Sequence, residues 1–159
     1  MDLIQFSDWL ASTRLSLAIQ ETQAAIPGIQ TVHIIALSLL FAAAIILALR
    51  FAGRGLATEP LQQLAGRFTR QIWLLLVVLA ISGMLLIIAE PHRTVTNRVF
   101  YAKMIMLLVV ILLTAWLSAV ARRPQQPVSG LHRLAAALTV LLWMAIMFAG
   151  RFIAYYESI

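Results

Sequence analysis

The chain has 159 residues, of which 62% are hydrophobic and 11% are charged, and its mean hydropathy is +0.94. Soluble domains average about 45–50% apolar and about 25% charged residues, so this composition excludes a small water-soluble domain. The chain has no cysteine, which excludes disulfides, thiolate metal sites and thiol catalysis. The formal net charge is +6, but the basic residues cluster at the ends of hydrophobic runs. We therefore interpret them as determinants of membrane topology and expect no nucleic-acid partner.

The first segment, residues 1–27, is too polar to span a bilayer. Its apolar residues recur at roughly helical spacing opposite polar ones, and Trp9 is typical of a membrane interface. This pattern predicts one or two amphipathic helices lying on the outer membrane surface. The first ten residues carry Asp2 and Asp8 and no basic residue, so we expect no cleavable signal peptide.

Four uncharged runs of 17 or 18 residues follow, at 32–49, 72–89, 104–121 and 134–150. At about 1.5 Å per residue, each run covers roughly 27 Å, which is close to the thickness of the hydrocarbon core. Backbone amides in lipid need partners within their own segment, so each run should be a helix. The sequence predicts an all-α fold, an integral membrane antiparallel four-helix bundle over residues 28–156. The predicted spans are about 29–50, 70–89, 100–121 and 131–152.

Turn-forming residues mark the ends of the first two spans. The first span is predicted to start at Pro27-Gly28 and to end at Gly53 and Gly55. An amphipathic lead-in to the second span is predicted to open at Glu59-Pro60, and Glu90-Pro91 is predicted to close that span.

The charges predict an orientation. The loops at 50–70 and 122–133 hold seven arginines and one acidic residue, whereas the other side holds five basic and five acidic residues. Short loops rich in arginine stay in the cytoplasm. We therefore expect both termini outside, in the periplasm if the membrane is a bacterial inner membrane.

Polar side chains at membrane depth are costly, so each is a candidate functional residue. His33 lies about one turn inside the first span on the outer side, with Gln30 on the same face. Lys103 enters at the same level from the third span, and Arg151 from the fourth. The two cations are interpreted either as anchors that extend towards the surface or as partners of heme propionates or a quinone headgroup.

All methionines except Met1 fall in the outer half of their spans. They are Met84, Met104, Met106, Met144 and Met147. Neutral imidazole together with thioethers suits heme iron or Cu(I), and would not suit magnesium or calcium. The alternative is that methionine only fills gaps between apolar helices. The candidate metal ligands are His33, Met84, Met106, Met144 and Met147.

The other two histidines lie outside the spans or at their ends. A bundle with two bis-histidine hemes needs four histidines, and this chain has three. His92 follows Glu90-Pro91 on the side of His33, so it is either a second ligand or a solvated loop residue. His132 begins the fourth span on the inner side and is interpreted as a residue at the level of the lipid headgroups.

The sequence Gln30-Thr-Val-His33, with Arg50 closing the helix, resembles the first helix of two families. These are the membrane protoporphyrinogen oxidase of bacteria and the copper-resistance protein D group, and Ser82-Gly83 and the Phe100-Tyr-Ala-Lys103 opening also match them. In the oxidase family the first-helix histidine is a heme ligand. By this resemblance that role falls on His33, and the lysine of the family falls on Lys103.

A closer resemblance covers roughly residues 15–156. Phe100, Lys103, Trp143 and the ending Gly150-Arg-Phe-Ile-Ala-Tyr155 resemble an uncharacterised bacterial family of four-helix inner-membrane proteins. That likeness implies the fold and the membrane, and no established activity.

Three hypotheses follow. The first is a small b-type-heme or related redox protein with its site in the outer leaflet, exchanging electrons with quinone or a periplasmic partner. Its expected cofactor-binding residues are His33 as axial ligand, His92 or one of Met84, Met106, Met144 and Met147 as second ligand, and Lys103 and Arg151, with Gln30 nearby. The second hypothesis is copper handling by the outer Met/His cluster. The third is an accessory subunit without chemistry, in a larger membrane complex or a homo-oligomer.

Overall fold

The computed structural model describes residues 2–54, 61–123 and 128–155. Two short helices, α1 (Leu3–Ala11) and α2 (Arg14–Glu21), precede the long helix α3 (Ala25–Phe51). Then follow α4 (Leu61–Ala89), the short α5 (Pro91–Val95), α6 (Arg98–Ala121) and α7 (Gly130–Tyr155). The predicted all-α fold is confirmed. We call the end of the bundle that carries α1, α2 and α5 the outer end, and the opposite end the inner end.

The long helices α3, α4, α6 and α7 are each apolar and long enough to cross a bilayer. Their outward faces carry large apolar side chains, and Ile34, Leu74, Ile105 and Phe148 are each more than half exposed. In water such surface would be strongly unfavourable, whereas lipid tails solvate it. The protein is therefore a multi-pass membrane protein, and its environment is the lipid bilayer.

The four helices pack as a bundle. Helix α3 packs against α4 and α7, α6 packs against α7, and α4 contacts α6 over a shorter stretch. The centre of the bundle is a cluster of buried side chains: Leu40, Ala43, Ala44, Ile72, Val110, Trp143 and Ile146. The alanines of α3 let a neighbouring helix approach closely, and the indole of Trp143 is almost fully buried.

Helix α3 begins earlier than predicted. Its first residue is Ala25, so Pro27 occupies the third helical position. Proline is tolerated in the first turn, because the N–H groups there have no partner within the helix. The proline therefore lies inside the helix that it was predicted to start.

The other end of α3 is closed by Gly53, as predicted. Gly53 has a φ of +73°, a conformation that glycine adopts at little cost. The Arg54 N–H donates to the Leu49 carbonyl at 2.8 Å, and the Gly53 N–H donates to the Arg50 carbonyl at 3.1 Å. These two bonds form a Schellman motif. Of the other predicted boundaries, Glu90-Pro91 separates α4 from α5, whereas Gly55, Glu59-Pro60 and residue 156 lie outside the described residues.

Substitutions at two neighbouring leucines of α3 can test which face of this helix packs into the core. Leu40 is fully buried, whereas Leu39 is 56% exposed. Replacing Leu40 with alanine should lower the free energy of unfolding by about 2 kcal/mol, because the loss of packing leaves a cavity. The matched Leu39→Ala change should cost far less, since lipid fills the space. Reversible unfolding in detergent mixtures measures the free energy of unfolding of both variants. Equal losses of that free energy would contradict this packing.

Candidate functional site

His33 forms a defined hydrogen-bond chain with α4. It lies eight residues into α3, which places it about 12 Å along the helix from Ala25. Its Nδ1 is 2.8 Å from Ser82 Oγ. The Ser82 hydroxyl donates to the Val78 carbonyl at 2.7 Å. A serine hydroxyl has one hydrogen, so when that hydrogen is donated to the Val78 carbonyl, the imidazole Nδ1–H is the donor to Ser82. The Nε2 atom then carries the lone pair.

Gly83 lies beside the same imidazole. A Cβ atom at this position would be 3.6 Å from His33 Cε1, which is an ordinary contact distance. The space beside the ring therefore admits a methyl group and would be filled by a longer side chain. The small residue leaves one edge of the imidazole open at this depth.

Lys103 approaches from α6. It is half-buried and lies about 8 Å from the start of its helix at Arg98. Its Nζ is 3.6 Å from the position that a Cβ of Gly150 would take. The lysine side chain therefore crosses α7 at Gly150, which has no side chain. Within the described ranges Lys103 has no hydrogen-bond or ion-pair partner. Its charged form at this depth would be stabilised by an anionic group.

We call His33, Ser82, Gly83, Lys103 and Gly150 the outer polar site. The structure brings together the two residues that the sequence singled out most strongly, His33 and Lys103. Each of the four spanning helices contributes at least one of the five residues. The site therefore depends on the packing of the whole bundle.

Two other predicted residues lie near this site. Gln30 is half-buried one turn before His33, and Arg151 is exposed near the outer end of α7, directly after Gly150. The sequence singled out Ser82-Gly83 in the second span, but it did not pair Ser82 with His33.

The methionines do not all face one point. Met84, Met104 and Met144 are 59%, 43% and 39% exposed, so they lie on the outside of the bundle. Met106 is half-buried and packs against the central core, and Met147 is half-buried on α7. Among the residues that the structure describes, no group of three or more histidine, aspartate or glutamate side chains could hold a metal ion.

His92 faces the N-terminal segment. Its Nδ1 is 3.1 Å from Ser7 Oγ, and its Nε2 is 3.4 Å from Asp8 Oδ1. Ser7 is fully buried, and its hydroxyl also donates to the Ile4 carbonyl at 2.8 Å. Both ring nitrogens of His92 thus contact α1, and these contacts hold α1 against α5.

His132 lies at the inner end, at the start of α7. Its Nδ1 accepts a hydrogen bond from the Ser129 N–H at 3.1 Å, and its ring lies 5.3 Å from that of Trp116. It therefore belongs to the first turn of α7 and lies far from the outer polar site.

Helix α2 is hydrogen-bonded to the end of α4. The Ser16 hydroxyl donates to the Ile88 carbonyl at 2.7 Å, and the Gln20 amide donates to the Ala89 carbonyl at 3.0 Å. The last carbonyls of a helix have no partner within it, so these side chains satisfy them. The predicted amphipathic segment therefore consists of two helices that are fastened to the bundle.

The fold and the site define a small multi-pass helical membrane protein with a part-buried His–Ser pair and a lysine at one end of its bundle. The chain belongs to DUF6644, a family of unknown function whose model matches residues 6–156. This confirms the predicted likeness to an uncharacterised family, whereas the likeness to protoporphyrinogen oxidase and copper-resistance protein D stays a prediction. No curated protein and no solved structure matches the chain.

The Ser82 hydrogen bond fixes a testable imidazole tautomer. In the wild type we expect the proton of His33 on Nδ1, because Ser82 accepts it. Ser82→Ala should shift the equilibrium towards the Nε2–H form. Nitrogen-15 NMR of histidine-labelled protein reports both states. The matched change Ser118→Ala removes a hydroxyl that donates to the Thr114 carbonyl, and it should leave the His33 signals unchanged. A wild-type proton on Nε2 would contradict the assignment.

Proposed function

We propose that the protein is a small membrane redox protein that binds one b-type heme at the outer polar site. The observation that carries the proposal is the 2.8 Å hydrogen bond between His33 Nδ1 and Ser82 Oγ, which occupies one ring nitrogen and leaves Nε2 for a ligand bond. Metal-binding histidines almost always donate their other N–H in this way. When bound, heme would supply one-electron transfer, and the chain would set its ligands and burial.

The charge at the site supports the same proposal. Lys103 offers a positive charge to an anionic group at membrane depth, and Arg151 offers another at the outer end of α7. Heme propionates are anionic and could pair with either side chain. Gly83 and Gly150 keep the neighbouring helix surfaces flat beside His33 and Lys103.

Among the candidate second ligands, the geometry favours Met147. It is half-buried and lies three residues before Gly150, so it shares the face of α7 that meets Lys103. His92 is engaged by Ser7 and Asp8, and Met84 and Met144 lie on the outside of the bundle. We therefore propose that His33 and Met147 would hold the heme iron, a ligand combination that would raise the reduction potential of heme.

The copper alternative has less support. It requires several methionines to converge on one ion, but the side chains of Met84, Met104 and Met144 lie on the outside of the bundle. A third role, as an accessory subunit that uses its exposed helix faces to dock in a larger complex, would need neither heme nor copper.

Purified wild-type protein should show a Soret band, and His33→Ala should abolish it, because the axial ligand is lost. His132→Ala removes an imidazole at the inner end and should keep the band. Met147→Leu should retain heme but change its spectrum to that of a five-coordinate iron. Absorption spectra and metal analysis of the same samples measure these effects. A colourless, folded wild type would overturn the heme proposal. Bound copper in that colourless sample would favour the copper-handling role. Co-purification of stoichiometric partner proteins, with neither heme nor copper, would favour the accessory-subunit role.

We also propose that the outer end faces the periplasm of a bacterial inner membrane. The proposal rests on the arginines, seven of which lie at or near the inner ends of the spanning helices, since short basic loops remain in the cytoplasm.

The natural absence of cysteine makes this orientation directly testable. Ser12 and Gln63 are both exposed polar residues at opposite ends of the bundle. In intact cells, a maleimide that does not cross the inner membrane should label Ser12→Cys and spare Gln63→Cys. Both should react after the membrane is permeabilised. The reverse pattern of labelling would invert the topology.

A further inference from the structure

A small cavity lies in the inner half of the bundle, between all four long helices. Its volume is about 20 Å³, and most of the residues that line it are buried, including Ala44 of α3 and Ala136 of α7. Thr114 also lines it and lies eleven residues after Lys103, which is about 16 Å along α6. The cavity is therefore separate from the outer polar site.

Hydroxyl groups distinguish this cavity from the apolar core around it. Thr69 of α4, Thr114 and Ser118 of α6, and Thr139 of α7 all line it. Each of these residues is 8% exposed or less. Among the residues that the structure describes, no charged side chain lines the cavity. The cavity is thus a polar but uncharged space that three helices supply with hydroxyls.

The hydrogen bonds of these hydroxyls leave acceptor positions unused. Thr114, Ser118 and Thr139 each donate to a carbonyl one turn earlier in their own helix, at 2.7 to 2.9 Å. The Thr69 hydroxyl donates to Ser118 Oγ at 3.1 Å. A hydroxyl oxygen can accept two hydrogen bonds. In the described part of the chain, each of the four oxygens therefore keeps at least one free acceptor position.

The volume and the polarity of the cavity together select its occupant. A cavity of roughly 10–15 Å³ or more can hold one water molecule, provided that it offers two to four polar partners. A lipid tail or an aromatic ring is too large for this volume. A bare metal cation would lose its hydration shell without gaining a carboxylate, and the cost of burying such a charge is prohibitive. Water is small, uncharged and able to donate to free oxygens.

We propose that this cavity binds one water molecule, which hydrogen-bonds to hydroxyls of α4, α6 and α7. Helices α4 and α6 contact each other over a short stretch that includes the Thr69–Ser118 bond. The water joins Thr139 of α7 to this pair, so it links three helices at a depth where lipid offers no hydrogen bonds. This binding site is independent of the proposed heme.

The test detects water beside single methyl groups by cross-relaxation NMR, with the full-length protein in phospholipid nanodiscs. Ala44 lines the cavity, whereas its neighbour Ala43 is equally buried but does not line it. The methyl group of Ala44 should show a cross-peak to water with the sign of a bound molecule, and that of Ala43 should show none. The two alanines form a matched pair, because residue type, helix and burial are the same.

Two variants change the cavity in different ways. Ala136→Val should abolish the Ala44 cross-peak, because the added methyl groups take the space of the water. Thr139→Val keeps the size of the side chain but removes one hydroxyl. It should weaken the cross-peak and raise the equilibrium constant of unfolding by roughly tenfold, because hydrogen bonds are lost.

Thr31→Val is the matched control for Thr139→Val. Thr31 also donates to a carbonyl one turn earlier, that of Pro27 at 2.8 Å, but it lies outside the cavity. It should leave the Ala44 cross-peak unchanged and raise the unfolding constant less. Helical circular dichroism and elution volume check the fold of each variant, and the wild-type comparison of Ala43 with Ala44 needs no variant.

Several results would overturn the proposal. A wild-type Ala44 methyl without a cross-peak would mean that the cavity is dry. Equal cross-peaks from Ala43 and Ala44 would mean that water permeates the core and does not occupy a defined site. A cross-peak that survives Ala136→Val unchanged would place the water outside this cavity, and one that survives Thr139→Val unchanged would reject the bond to α7.

Discussion

Lipid tails neither donate nor accept hydrogen bonds, so every polar group inside the bilayer must find its partner within the protein. The long helices meet this constraint for their backbones. Hydroxyls within them return to carbonyls one turn earlier, as Thr114 does to Val110 and Ser82 does to Val78. Against this background of satisfied groups, His33 and Lys103 stand out, because the helices alone do not provide for an imidazole nitrogen or an ammonium group.

The same constraint explains how the N-terminal segment is attached. A helix end leaves its last carbonyls without partners. Ser16 and Gln20 of α2 donate to the final carbonyls of α4, and His92 contacts Ser7 and Asp8 of α1. The apolar faces of α1 and α2 remain outward, where Ile4 and Trp9 are more than half exposed. The segment is thus suited to lie in the membrane interface while its polar side chains bind the bundle.

Much of this architecture was predictable. Uncharged runs gave the four spans, because a bilayer requires a minimum apolar length, and counting turns placed His33 and Lys103 at one level. Which side of α3 and of α6 faces the interior of the bundle was not predictable, because both helices are apolar on nearly all faces and no polar stripe distinguishes one side. For this reason the sequence did not pair His33 with Ser82. It also did not separate the exposed Met84 from the half-buried Met147. The contacts of His92 with α1 join residues that are far apart in the sequence, and no local sequence pattern predicts such contacts.

The hydrogen bonds between α2 and the end of α4 also relate the depth of Ser82 to the position of α2. The carbonyl that Ser16 binds, on Ile88, lies six residues after Ser82, which is about 9 Å along a rigid helix. Helices that lie in the interface stay near the boundary between headgroups and tails. With α2 in the interface, its hydrogen bonds to α4 would hold the Ser82 hydroxyl at a constant distance beneath the membrane surface. A change in bilayer thickness would then be taken up at the inner end of the bundle, and the outer polar site would keep its depth.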